Sequence, residues 1–346
     1  MKKTLKAFAV TAAFLAAGAC AFAETSVNAY NKLSSDLVKI DMTEDGTTTS
    51  FPGVKNRIYA EVLSDRVDAM VKGDLIFSIE DAVNSDLKEY NYLKMDLELA
   101  DWYVEVRPID MLTIGLHDGI TTPGSYLPVY DDNLSSGNMG SDFSLCLRPI
   151  KGLRIAGSLD LEADFGKEGS TPAFNFGADY VLDDIGSFGV IVRDVAATED
   201  DKWDGTLGVY AGLSCLKDVG FDFVNVGFAL NAAADTGVGG NLLSIGYSYS
   251  NKSFNLSGDF VTNFEAKDID VYLALCPNYK INSNFRTGLS FAVVGSYVEN
   301  SAAILDFYPY VDYVNGSHKI ETGVRFNVNT SGETVISFPT YWKYTF

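Results

Sequence analysis

The sequence predicts an all-β chain, a transmembrane antiparallel β-barrel of about 18 strands, with 16 as the alternative count and no plug domain. Three observations carry this prediction. Apolar and polar residues alternate over runs long enough to cross a bilayer, tight turns punctuate those runs at a near-constant spacing, and the N-terminus reads as an export signal.

The signal comes first in the chain. Lys2, Lys3 and Lys6 precede an apolar stretch from Ala7 to Ala17, and Ala21-Phe22-Ala23 supplies the small residues of a cleavage site. Cleavage is expected between Ala23 and Glu24, making residues 1–23 a signal peptide. Cys20 leaves a lipidated N-terminus open, although Ala17 stands where a lipoprotein signal usually has Leu. Residues 24–55 form an N-terminal segment in which Asp36 to Met42 supplies the first strand. Residues 56–346 form the barrel itself. Nowhere after residue 24 is there an apolar run near the roughly 18 residues that a membrane helix needs, so any crossing must be made by strands.

The strands show a period of two. Leu153, Ile155, Gly157, Leu159, Leu161 and Ala163 alternate with Arg154, Ala156, Ser158, Asp160, Glu162 and Asp164. The same alternation returns in Leu207 to Cys215, Leu243 to Tyr249 and Ile320 to Val328, placing one set of side chains on each face. Leu159, Leu213, Ile245 and Val324 are expected to face lipid. Runs of this kind match the roughly 9 to 11 residues of a tilted bilayer-crossing strand rather than the five or six of a soluble sandwich.

Turn residues recur near Ser64, Asp110, Lys151, Asp184, Lys217, Asn251, Asn282 and Asn315, one hairpin per repeat. The connections at the other ends of the hairpins are longer and more polar, as in Phe165 to Pro172 and Ala197 to Asp204. Short turns on one side and long loops on the other are the asymmetry of a transmembrane barrel. Closure follows from cost, because an unpaired backbone group in hydrocarbon costs several kcal/mol.

The chain ends Phe338-Pro339-Thr340-Tyr341-Trp342-Lys343-Tyr344-Thr345-Phe346. Aromatics at alternate positions before a terminal Phe resemble the last strand of Gram-negative outer-membrane proteins, with Phe338, Trp342, Tyr344 and Phe346 as the assembly signal. That resemblance implies residence in the bacterial outer membrane among its lipids, and insertion by the barrel-assembly machinery. Whether the barrel forms a homotrimer is left open.

A barrel of this size holds an aqueous lumen, so its lining decides its function. The inward parity carries Arg154, Asp160, Glu162, Asp164, Asp179, Asp259, Asp270, Asp306, Asp312, Glu321 and Arg325. Carboxylates outnumber cations there, which favours small polar or cationic solutes over anions. The formal charge of −20 also argues against nucleic acid as a partner. The longest connection, Asp118 to Gly140 with Asp131 and Asp132, is expected either to fold inward and narrow the pore, as the third loop does in the general porins this architecture resembles, or to stand outside as a binding loop.

Enzymatic readings find no constellation. His117 and His318 lack a nucleophile motif, and no spacing resembles a set of metal ligands, so no cofactor or metal is expected. Cys146, Cys215 and Cys276 belong to non-neighbouring strands, too far apart to bridge. The residues therefore point to a passive diffusion channel, with a surface adhesin or structural barrel as the alternative.

Overall fold

The computed structural model describes residues 25–44, 46–83, 89–116, 143–160, 173–195, 205–232, 240–263, 270–296, 304–329 and 332–346. Within these residues the chain runs as twenty strand segments. The first are β1 (Thr25–Thr43), β2 (Gly46–Ser50), β3 (Val54–Ser64), β4 (Val67–Val83) and β5 (Glu89–Ile109). Next come β6 (Leu112–Leu116), β7 (Phe143–Leu147), β8 (Leu153–Asp160), β9 (Ala173–Leu182) and β10 (Gly186–Val195). These are followed by β11 (Thr206–Leu213), β12 (Phe221–Ala232), β13 (Gly240–Ser250), β14 (Phe254–Asn263) and β15 (Asp270–Lys280). The last are β16 (Phe285–Ser296), β17 (Ile304–Asn315), β18 (His318–Gly323), β19 (Arg325–Asn329) and β20 (Thr334–Thr345).

Segments β2 and β3 both pair with β1, and β18 and β19 both pair with β20. Each couple is one interrupted strand, so the twenty segments make eighteen strands. All belong to one antiparallel sheet in which the first strand pairs with the last, from Tyr30↔Thr345 to Met42↔Thr334. The fold is an all-β antiparallel barrel. The strand expected over Asp36–Met42 is the second half of the longer β1.

The short turns follow from local chemistry. Asn251 Oδ1 accepts the N–H groups of Ser253 and Phe254, and Asn282 Oδ1 accepts those of Asn284 and Phe285, so two successive hairpins close on the same Asx turn. Gly316 turns the chain between β17 and β18 at a φ of +57°, a conformation that costs glycine little.

The strands fall into two compact units. The first comprises residues up to Trp102 with 280–289 and 305–346, and the second comprises 103–279 with 290–304.

In the second unit, adjacent segments from β6 to β13 pair antiparallel, with register shifts on β9–β10 and β12–β13, and one face of this wall is apolar. Phe176, Phe188 and Val209 stand 46–53% exposed there, as side chains facing lipid must. Leu159 and Ile245 share the face of these residues by strand parity, and Leu213 is exposed on it. The opposite face packs its side chains against one another. A row of small and apolar residues runs level across it, Cys146↔Ala156↔Gly177↔Ile191↔Gly208↔Ala229↔Leu242, on seven consecutive segments. Ile191 and Ala229 are fully buried in that row.

In the first unit the wall is broken by proline. Pro339 stands opposite Asp36, and the β1·β20 register slips between Asp36 and Lys39. Pro52 lies in the gap between β2 and β3. Val324, expected to face lipid from within a strand, sits in the gap between β18 and β19, its N–H donating to Pro309 O at 3.1 Å. Proline offers no N–H to a ladder and is tolerated where pairing already fails.

Candidate functional site

The interruptions open a recess of about 400 Å³ in the first unit, bounded by Pro52, Pro339, Ser34, Lys55, Tyr308 and Arg325. Lys32, Asp36, Glu321 and Tyr341 also contribute to its wall. Charged side chains cover the inner face around it, and register places them in two level rows.

The first row holds four cations on four adjacent segments, Arg57↔Lys32 across β3 and β1, Lys32↔Lys343 across β1 and β20, and Lys343↔Lys319 across β20 and β18. Like charges directly opposite one another repel, so the row needs compensation. Arg57 donates twice to Asp74 at 2.7 Å, and Lys55 reaches the same carboxylate at 2.6 Å. Lys319 lies 3.0 Å from Glu321 and 3.3 Å from Asp312. Lys32 and Lys343 rest on aromatic faces instead, 4.1 Å from the centre of Tyr341 and 4.0 Å from that of Tyr30.

The second row is Asp312↔Glu321↔Tyr341. Glu321 accepts the hydroxyl protons of Tyr341 at 2.8 Å and Tyr308 at 3.3 Å. Arg325 grips Asp306 through two nitrogens, at 2.9 and 2.6 Å.

The second unit has its own polar network. Arg154 Nε donates to Asp179 Oδ1 at 2.8 Å and its second nitrogen donates to Oδ2. Tyr210, two segments beyond, donates its hydroxyl to the same carboxylate at 3.0 Å. The reach is possible because Gly189 lies between them: Asp179↔Gly189↔Tyr210 are level on β9, β10 and β11. A Cβ on Gly189 would meet the Tyr210 ring at 2.6 Å.

The expected lining residues are divided between the two units. Asp306, Asp312, Glu321 and Arg325 gather in the first unit, whereas Arg154, Asp179 and Asp259 lie in the second. Asp259 is buried on the inner face, opposite Gly246 and Ala274. The side chains of Asp160 and Asp270 lie outside the described residues, as do Glu162, Asp164, Asp118, Asp131, Asp132, His117, Ala23 and Glu24. Asp74, Asp179, Asp306, Asp312 and Glu321 each hold a Lys or Arg.

The aromatic end of the chain is assembled on the outer face. Trp342 and Tyr344 pack on His318, with ring centres 5.9 and 4.8 Å away, and Trp342 Nε1 donates to His318 Nδ1 at 3.2 Å. Tyr344 in turn meets Phe346 edge to face at 4.8 Å. His318 is thus a packing partner of the last strand, not only a turn residue. Cys146, Cys215 and Cys276 are free thiols.

Lys32, Lys343 and Lys319 were not legible as a group, because their alignment depends on pairing the first strand with the last. The prolines were the available signal: Pro52 lies in the gap between β2 and β3, and Pro339 beside the register slip of β1 and β20.

No family model matches the sequence, and no curated protein matches it. Solved structures do. Acinetobacter baumannii OccAB4 superposes with a TM-score of 0.56 at 10% identity, over 94% of this chain and 99% of that one. Pseudomonas aeruginosa OccK9 (OpdG) gives 0.55 at 10% identity, over 92% and 98%. The outer membrane protein OpdK from Pseudomonas aeruginosa gives 0.54 at 9% identity, over 93% and 98%. The likeness is one of fold. This chain shares its barrel architecture with outer-membrane proteins along nearly its whole length.

Proposed function

We propose that this protein is an outer-membrane channel through which small polar solutes diffuse passively. One observation carries the reading: an eighteen-strand barrel with an apolar outer face presents a charged, recessed inner wall. Ionic side chains at membrane depth are costly unless they line a water-filled path. The shared fold with OpdK, which has been solved with vanillate, supports passage of a small organic solute. A preference for cations, as expected from the acidic excess, would draw on Asp160, Glu162, Asp164, Asp259 and Asp270, because Asp306, Asp312 and Glu321 each hold a Lys or Arg.

The lining set, the place of residues 118–140 inside the pore or outside it, cleavage after Ala23, barrel-assembly machinery as partner and the choice between monomer and homotrimer belong to the same proposal. For assembly, the supporting observation is that Phe346 continues the aromatic cluster of Trp342 and Tyr344, whereas Lys343 faces inward. Deleting Phe346 should lower the amount of barrel in the outer membrane several-fold, and Lys343→Gln should not. Equal levels by heat-dependent gel migration of membrane fractions would defeat the assembly reading.

The channel is tested by single-channel recording of the refolded protein in a planar bilayer. Discrete, ohmic conductance steps are expected. A correctly refolded barrel without conductance would leave the adhesive or structural role in its place.

A further inference from the structure

The apolar outer face of the second unit is not even. Leu145, Gly157 and Phe176 are level on β7, β8 and β9, and Gly157 puts no side chain between its two exposed neighbours. A groove of about 430 Å³ opens there. Its floor is the β8 backbone, since Ala156 and Ser158 border it while their side chains are buried on the other face. Phe174 and Phe176 wall it on one side and β7 walls it on the other, and no charged residue lines it.

Register gives the depth of the groove. Its lowest rung, Leu147↔Ile155, stands two residues above Leu153↔Tyr180↔Phe188. Tyr180 and Phe188, with ring centres 6.1 Å apart, lie beside the short turns, at the level where aromatic side chains mark the membrane–water boundary. The highest rung, Phe143↔Leu159↔Phe174, is four residues further, about 13 Å along a strand and about 10 Å in depth at a tilt near 40°. The groove therefore lies in the half of the roughly 25 Å apolar band that adjoins the short, periplasmic turns.

The turns below it are acidic, with one lysine at the mouth. Lys151 is 86% exposed and lies 2.5 Å from Asp183 of the next turn. The Tyr180 phenol acts on the Lys151 ammonium, which puts the pair on the outer side of the turns. Asp184 is exposed beside Asp183. Arg148 and Arg154 are turned inward, donating to Thr113 at 2.6 Å and to Asp179 at 2.8 Å. The flanking turns add Asp110 on one side, and Lys217 with Asp218 on the other.

We propose that the groove seats one acyl chain of a phosphatidylethanolamine from the periplasmic leaflet, with the lipid's phosphate on Lys151 and its ammonium on Asp183 or Asp184. The acyl chain is selected by shape and depth. A flat apolar wall touches a chain on one side, whereas this groove touches it on three, and each added contact gains dispersion energy. A lipid of the outer leaflet would have its headgroup at the opposite end of the strands, away from this lysine. The headgroup is selected by charge. An anionic headgroup would bring a further negative charge to a mouth with one cation and at least two carboxylates. A zwitterion instead inserts into the Lys151–Asp183 pair and leaves the net charge as it was. The inference needs only the barrel in its membrane and stands apart from conduction.

Native mass spectrometry of the detergent-refolded full chain tests it, with palmitoyl-oleoyl phosphatidylethanolamine and the matching phosphatidylglycerol as separate probes at equal concentration. One retained phosphatidylethanolamine per barrel is expected, at least threefold above phosphatidylglycerol. Gly157→Leu fills the groove and should cut retention at least fivefold. Ala211→Leu, on the same outer face of β11 but away from the groove, should leave retention unchanged. Asp183→Asn frees Lys151 and should lower the preference for phosphatidylethanolamine at least twofold. If Gly157→Leu fails to refold, Phe176→Ala, which removes one wall, should cut retention at least threefold. Equal retention of the two lipids, retention of neither, or undiminished retention in the groove variants overturns the site. A dimer in the parent that Gly157→Leu dissolves overturns it too, by seating a second copy of the chain there. Conductance without lipid retention keeps the channel and removes the site; retention without conductance does the reverse.

Discussion

The two units solve the same problem, an inner wall made of alternate residues, in different ways. In the second unit the rungs on either side of Ile191 stay level, glycines flank Ile191, and the carboxylate of Asp179 is bound from both sides. In the first unit, proline gaps interrupt the ladder, a recess opens, and the inner row is a file of cations steadied by aromatic rings. The lesson is that glycine and proline modify a barrel wall in opposite directions. A glycine removes one side chain and lets a neighbour close over the gap, which tightens the wall. A proline removes one backbone donor and weakens pairing where that donor would face a neighbour, which loosens it.

The largest effect that would break this comparison lies at Gly189. Its Cβ position is 2.6 Å from the Tyr210 ring, so Gly189→Val must expel Tyr210 from its seat and strip Asp179 of one donor. Overpacking and the lost hydrogen bond together should cost about 2–4 kcal/mol, read as a lower urea midpoint for the refolded barrel. Tyr210→Ala in the same chain should recover part of that loss by making room. A Gly189→Val barrel as stable as the parent would show that the second wall is not close-packed.

Next comes the comparison of two Arg–Asp pairs. Asp179 is buried and serves Arg154 and Tyr210, whereas Arg325 beside Asp306 has half of its side chain exposed. Asp179→Asn should destabilise by about 1–3 kcal/mol, because a carboxylate with two donors is lost from a covered position. Asp306→Asn should cost less than about 1 kcal/mol, since water screens that pair. Denaturation midpoints of the two variants should therefore differ clearly, and equal losses would erase the distinction between the walls.

The smallest effect on stability should come from Pro339→Ala. Restoring an N–H opposite Asp36 lets β1 and β20 extend their pairing, so stability should change by no more than about 1 kcal/mol in either direction. What should change is the recess: with its break closed, unitary conductance of the channel proposed here should alter measurably. If Pro339→Ala leaves the conductance untouched, the recess does not border the conducting path.

The sequence determined the strands, the short turns and the outward face, because all three are local. A period of two in Leu207 to Cys215 needs no partner to be visible, and Asn251 and Asn282 close their turns on N–H groups two and three residues away. Composition also foretold a charged lining. What it could not foretell was the sign of the charge at any place on the wall. Lys32 and Lys343 are separated by almost the whole chain and become neighbours only when the first strand meets the last. Likewise Tyr210 reaches Asp179 only because register sets Gly189 between them. Counting residues of one parity sums charges as though each stood alone. Only the tertiary structure decides which of them cancel, since Coulomb energy depends on the distance between partners and register alone fixes that distance.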